Sequence, residues 1–89
     1  MLTLPAVLTH AQALAAAAAL RVQIVTQATP VVIDASALTQ FDSSALAVLL
    51  AGRREAIAAG KVFSVSNLPA QLRQLAGLYG VAELIPETA

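Results

Sequence analysis

VVIDASALTQFDSSALAVLL, residues 31–50, passes from one structural period to another, and the change decides the fold. Val31-Val32-Ile33 is a short continuous apolar run of the kind that a central strand covered on both faces carries. Pro30 ends the linker before it, and Asp34 closes it. From Ser43 to Ala59 the spacing becomes helical, with Leu46, Leu49, Leu50 and Ile57 on one stripe. Asp42 is a good N-cap for that helix, which leaves Ser43 and Ser44 in its first turn. Gly60 is its C-terminal stop.

The flanks extend the alternation. In LTLPAVL, residues 2–8, Leu2, Leu4, Ala6 and Leu8 share a face, while Pro5 has no N–H to give to a ladder. That pattern predicts an edge strand, or a strand with one free side. Thr9-His10-Ala11-Gln12 has the form of a capping box, and the alanine run from Ala15 to Ala19 carries a helix over about 10–27. KVFSVS, residues 61–66, alternates again, with Phe63 and Val65 on one side and Val62, Ser64 and Ser66 on the other. Asn67 is read as the cap of a last helix whose stripe is Leu68, Leu72, Leu75 and Tyr79, and Gly80 stops it. A short strand or turn is expected at 82–85. The order strand, helix, strand, helix, strand, helix predicts an α/β domain with a mixed or parallel sheet of three to four strands and helices mainly on one face.

Composition narrows the function. At 89 residues the chain is one domain, 1–89, with a small core. Hydrophobic residues make up 58% and charged residues 11%, against roughly 45–50% and 25% in an average soluble domain, which leaves apolar surface over for a partner. Five basic and five acidic residues balance, and the basic ones form no run, so no nucleic-acid footprint is expected. The absence of cysteine removes disulfides, thiolate metal sites and a Cys nucleophile together, and fits a cytoplasmic protein. Residues 1–20 are uncharged, but no basic residue precedes the apolar part and Pro5, His10 and Gln12 interrupt it, so it does not read as a secretory leader. The apolar runs elsewhere are too short for a membrane span.

Catalysis finds little support. The sole histidine, His10, lies in the first turn of a helix, and the four glycines form no phosphate cradle. Asp34 and Asp42 are placed where ligands gather in open α/β sheets, and Mg²⁺ is one reading of them. The other is that each ends a strand or caps a turn, and on that reading no metal or cofactor is expected.

Two readings of Asp42-Ser43-Ser44 stay open: a plain helix start, or a surface where a partner docks and a kinase adds phosphate. A phosphate on Ser43 would add about two negative charges at the anion-friendly end of the helix, beside Asp42. With the core stripe through Leu46, Leu50 and Ile57, the other side of the helix carries Ser44, Ala47, Val48, Ala51, Glu55 and Ala59. That side is expected in solvent, yet it is small and mostly apolar, as association surfaces are.

The stretch 31–50 resembles the signature of STAS domains, in which an apolar strand ends in Asp, a loop follows, and Asp-Ser/Thr-Ser/Ala-Gly/Ala-Leu opens a helix. The likeness runs from Thr9 to Pro86 and is most specific at Asp42 to Leu46. LRQLAGLYGVAELIP, residues 72–86, is more similar to the STAS subunit of Mla-type ABC complexes. The resemblance implies a non-catalytic subunit that binds and regulates the ABC ATPase of a bacterial phospholipid transporter, and so sits at the inner membrane only through its partner. It places the family's contact hydroxyl on Ser43. Asp42, Ser44, Ala47, Val48, Ala51 and Glu55 are the expected contact surface around it. The alternative within the same resemblance is an anti-sigma-factor antagonist that binds a serine kinase and is switched by phosphorylation at Ser43. Two features depart from the family. A strand that usually precedes the one at 2–8 is expected to be missing, and Ala45 stands where many members have glycine.

Overall fold

The computed structural model describes residues 2–88. Three short parallel strands form the sheet: β1 (Leu2–Thr3), β3 (Val31–Asp34) and β5 (Phe63–Ser66), in the order β1-β3-β5. Leu2 lies opposite Ile33, and Val31 to Asp34 lie opposite Phe63 to Ser66 in register. The expected α/β class with a parallel sheet holds. Leu2, Val31, Ile33, Phe63 and Val65 are buried, while Val32, Asp34, Ser64 and Ser66 between them are half-buried. The alternation is the pleat of a sheet with one face packed and the other partly open.

The strand expected over 2–8 divides at Pro5. Beyond it, β2 (Val7–Leu8) leaves the main sheet and forms a separate parallel ladder with β4 (Gln40–Phe41). Proline has no N–H for the ladder, and the Ala6 carbonyl accepts from Thr39 N–H at 2.8 Å and Gln40 N–H at 3.1 Å. At the far edge, Val65 donates its N–H to the Pro86 carbonyl at 2.8 Å, and Thr88 N–H reaches the Val65 carbonyl at 2.9 Å, so the tail lies parallel to β5.

Three helices follow the strands: α1 (His10–Thr26), α2 (Ser44–Ala58) and α3 (Ala70–Leu78). The Gln12 side chain accepts from Thr9 N–H at 3.0 Å and Thr9 Oγ1 at 2.7 Å, which holds the start of α1. Gly60 and Gly80 close α2 and α3 with φ of +71° and +70°. In each, two backbone bonds complete a Schellman turn: Gly60 to Ile57 and Lys61 to Ala56, then Gly80 to Gly77 and Val81 to Ala76. Residues 82–84 form a 3₁₀ turn.

Three expectations about side chains are corrected. The first concerns α2, which buries Ala45, Leu46, Val48, Leu49, Gly52 and Ala56, so that Val48 is 1% exposed and Ile57 is 53% exposed. The helix is pressed between α1 and the sheet, and its small residues sit where the contact is closest. A Cβ on Gly52 would come within 2.8 Å of Leu20 Cδ2 and 3.4 Å of Ile33 Cδ1. The large residues alone would place the buried arc away from Val48 and toward Ile57. The second concerns Asn67, which does not cap α3. It has a φ of +57° and its side-chain amide donates to Asp34 Oδ1 at 3.0 Å, while α3 begins after Pro69. Tyr79, expected on the buried stripe of α3, is exposed.

Candidate functional site

The start of α2 is built around one carboxylate. Asp42 Oδ1 accepts from Ser44 N–H at 2.8 Å, which is the cap expected from sequence, and Ser43 already has helical dihedrals. Asp42 Oδ2 also accepts from His10 N–H at 3.1 Å, at the first residue of α1. One side chain therefore joins the N-termini of two helices. Chiefly the Ser44 N–H, and then that of His10, hold the Asp42 carboxyl below the usual aspartate range.

Ser43 stands beside this junction, exposed, and its side chain makes no cap hydrogen bond. The neighbouring N–H groups of Ser44, Ala45 and Leu46 are each taken, by Asp42 Oδ1, the Asp42 carbonyl and the Ser43 carbonyl. The first turn consequently offers a free hydroxyl more than a free anion cradle. A phosphate on Ser43 would meet the charged Asp42, offset by the positive ends of α1 and α2.

From this junction an apolar groove runs between α1 and α2, lined by His10, Ala11, Leu14 and Ala17 on one side and Ser44, Ala47 and Val48 on the other. Leu14 is 86% exposed on its rim. Among the residues expected from sequence, Ser44 and Ala47 line this groove, and Asp42 and Ser43 precede them at the helix junction. Val48 lies in the floor and belongs to the core. Ala51 and Glu55 are half-buried farther along α2, with Glu55 3.8 Å from Arg21 of α1. The α1 wall was not anticipated. The i, i+3 spacing of Ala11, Leu14 and Ala17 was available as a signal, but it is buried in an alanine run that supports several faces equally.

Asp34, the other carboxylate read from sequence, has structural partners. Asp34 accepts from the Asn67 amide, from Ser36 N–H and from Ser36 Oγ, and these bonds, the Asn67 bond foremost, lower its pKa. It ties the loop after β3 to the loop after β5. Asp42 takes the main-chain N–H of His10, and no hydrogen bond joins the imidazole to Ser43 or Ser44, so the three do not form a nucleophilic relay. Among the described residues no group of three His, Cys, Asp or Glu side chains is placed to hold a metal, and no helix is long and apolar enough to cross a membrane.

The family model described as "Mlab, STAS domain" matches residues 1–86. A comparison with curated proteins gave no match.

Proposed function

The chain belongs to the STAS domain family, in its MlaB type, and from that premise we propose that it is a non-catalytic subunit that binds and regulates the ATPase of an ABC transporter for phospholipids. STAS domains are protein-interaction modules, and the reading gives this one a specific contact surface. The observation that carries it is the exposed Ser43 hydroxyl, which makes no cap hydrogen bond, next in the chain to Ser44 of the apolar groove between α1 and α2. Ser43, Asp42, Ser44 and Ala47 form the polar end of the contact, with Ala51 and Glu55 farther along α2. The apolar walls supply burial against the ATPase, and the hydroxyl sets the register. The protein then works in the cytoplasm, at the inner membrane through its partner.

The same exposed hydroxyl suits a serine kinase, which supports the second reading, an anti-sigma-factor antagonist released by phosphorylation. A pull-down from a detergent extract of the native bacterium separates the two. Wild type should recover an ABC ATPase and its permease, and Ser43→Glu should lose them while keeping its circular-dichroism spectrum. Recovery of a soluble serine kinase, with phosphate on Ser43, would replace the transporter reading.

A further inference from the structure

The buried arc of α2 runs through Ala45, Val48, Leu49, Gly52 and Ala56, which leaves an adjoining face turned outward. Leu50, Arg53, Arg54 and Ile57 follow one another on that face at i, i+3, i+4 and i+7. Together with Leu84 of the 3₁₀ turn they line an open cavity of about 290 Å³. Ile57 is 53% exposed and Leu84 38%, while Leu50 and Arg53 are half-buried. None of the five lines the groove beside Ser43. The cavity therefore stands apart from the transporter reading and does not rest on it.

The charges of the molecule single out the two arginines. Arg21 lies 3.8 Å from Glu55, Arg73 lies 2.7 Å from Glu87, and the Lys61 ammonium is held by three carbonyls at the end of α1. Among the described residues, Arg53 and Arg54 are the Lys and Arg side chains left with neither a hydrogen bond nor an ion pair, and both line the same cavity. Glu83, in the same turn as Leu84, pairs with neither. Two guanidinium forks without an acceptor, set between exposed aliphatic side chains, are complementary to a carboxylate with an apolar neighbour. We propose that this cavity docks a short acidic segment of a protein partner. A carboxylate of the segment meets Arg53 and Arg54, and an adjacent aliphatic side chain packs on Leu50, Ile57 and Leu84. Size favours this occupant, because the cavity falls just below the roughly 300–1,000 Å³ of small-molecule pockets and is open, so it seats a side chain and not a whole cofactor. Charge favours it too. Two cations on a chain of zero net charge are too few for a nucleic-acid backbone or an anionic bilayer, which are bound by clusters of Lys and Arg.

Titration of the isotope-labelled intact chain with the peptide acetyl-LEELL-amide, followed by amide chemical shifts, tests this. The shifts should gather at residues 50–57 and 82–85 and shrink as salt is raised. Arg53→Gln and Arg54→Gln should each weaken binding about fivefold with unchanged circular dichroism. Ile57→Gln, at an exposed position, should weaken it as well. Equal binding of the neutral acetyl-LQQLL-amide, shifts confined to the groove between α1 and α2, or no shifts at all would overturn the proposal. Sedimentation with phosphatidylglycerol vesicles supplies the remaining arm. Capture of wild type but not of the double variant carrying Arg53→Gln and Arg54→Gln, without any response to the peptide, would give the arginines to a membrane surface instead.

Discussion

Adjacent residues at the start of α2 carry different tasks. Asp42 is structural, because its two oxygens close the first turns of α1 and α2 together. Ser43, next to it, makes no such bond and is exposed. The Asp42 pKa lies below its ordinary value, so the carboxylate's contribution is complete above the unfolded pKa and is lost as pH falls through the folded one. Wild type should lose stability on acidification from the ordinary aspartate range downward, and Asp42→Asn should lose less over that window. Denaturant midpoints measured at stepped pH for both proteins check this, and identical slopes would show that the bonds have no energetic role. Val48 and Ala47 make a second contrast. Val48→Arg should lower the urea midpoint sharply, since an unpaired buried charge costs about 3–5 kcal/mol out of a total of about 5–15 kcal/mol. Ala47→Arg, on an exposed position of the groove, should keep the native circular-dichroism spectrum and lose the partner.

The pair α1 and α2 raises a problem of dipoles. The two helices run parallel, as the Asp42 junction at both N-termini requires, so like ends of their macrodipoles lie together. The carboxylate of Asp42 offsets the positive ends. At the other end Lys61, just after the Schellman turn of α2, reaches across with its ammonium. Nζ donates to the Ile24 carbonyl at 2.8 Å, to Val25 at 3.0 Å and to Gln27 at 2.5 Å. α1 has no basic residue in its own last turn, and Lys61 supplies the missing charge. Lys61→Met keeps the apolar stem and removes the donors. It should lower stability by about 1–2 kcal/mol, seen as a lower urea midpoint with an unchanged slope. An unchanged midpoint would mean that water serves those carbonyls equally well.

At the scale of the whole molecule, the chain after α3 fastens one edge of the sheet. Ile85 is buried in the core, and the backbone bonds between Val65 and residues 86 and 88 lay the tail along β5. Arg73 grips it from α3, with Nε 2.8 Å and Nη2 2.7 Å from the two oxygens of Glu87. This fork raises the Arg73 pKa and lowers that of Glu87. Ile85→Ala should cost about 2–4 kcal/mol, much of what so small a domain has to spare. Arg73→Ala should leave the core intact and release the tail, and limited proteolysis near residue 86 should then be faster than in wild type.

By itself the sequence determined what depends on near neighbours. The alternation in VVID and FSVS, the capping box at Thr9–Gln12, the stop glycines 60 and 80 and the Asp42 cap each involve residues a few positions apart, where local periodicity and backbone conformation decide the outcome. Only the tertiary structure decided the phase of α2, because its buried arc is the sum of contacts with α1 and the sheet, and close approach favours alanine and glycine that a count of large residues passes over. It also decided the ladder of β2 with β4, whose strands of two residues are too short to carry a period. The candidate site divides in the same way. Ser44 and Ala47 were legible as one helix face, while the α1 wall of the groove and the bond from His10 N–H to Asp42 join residues about thirty positions apart, a distance that no local pattern spans.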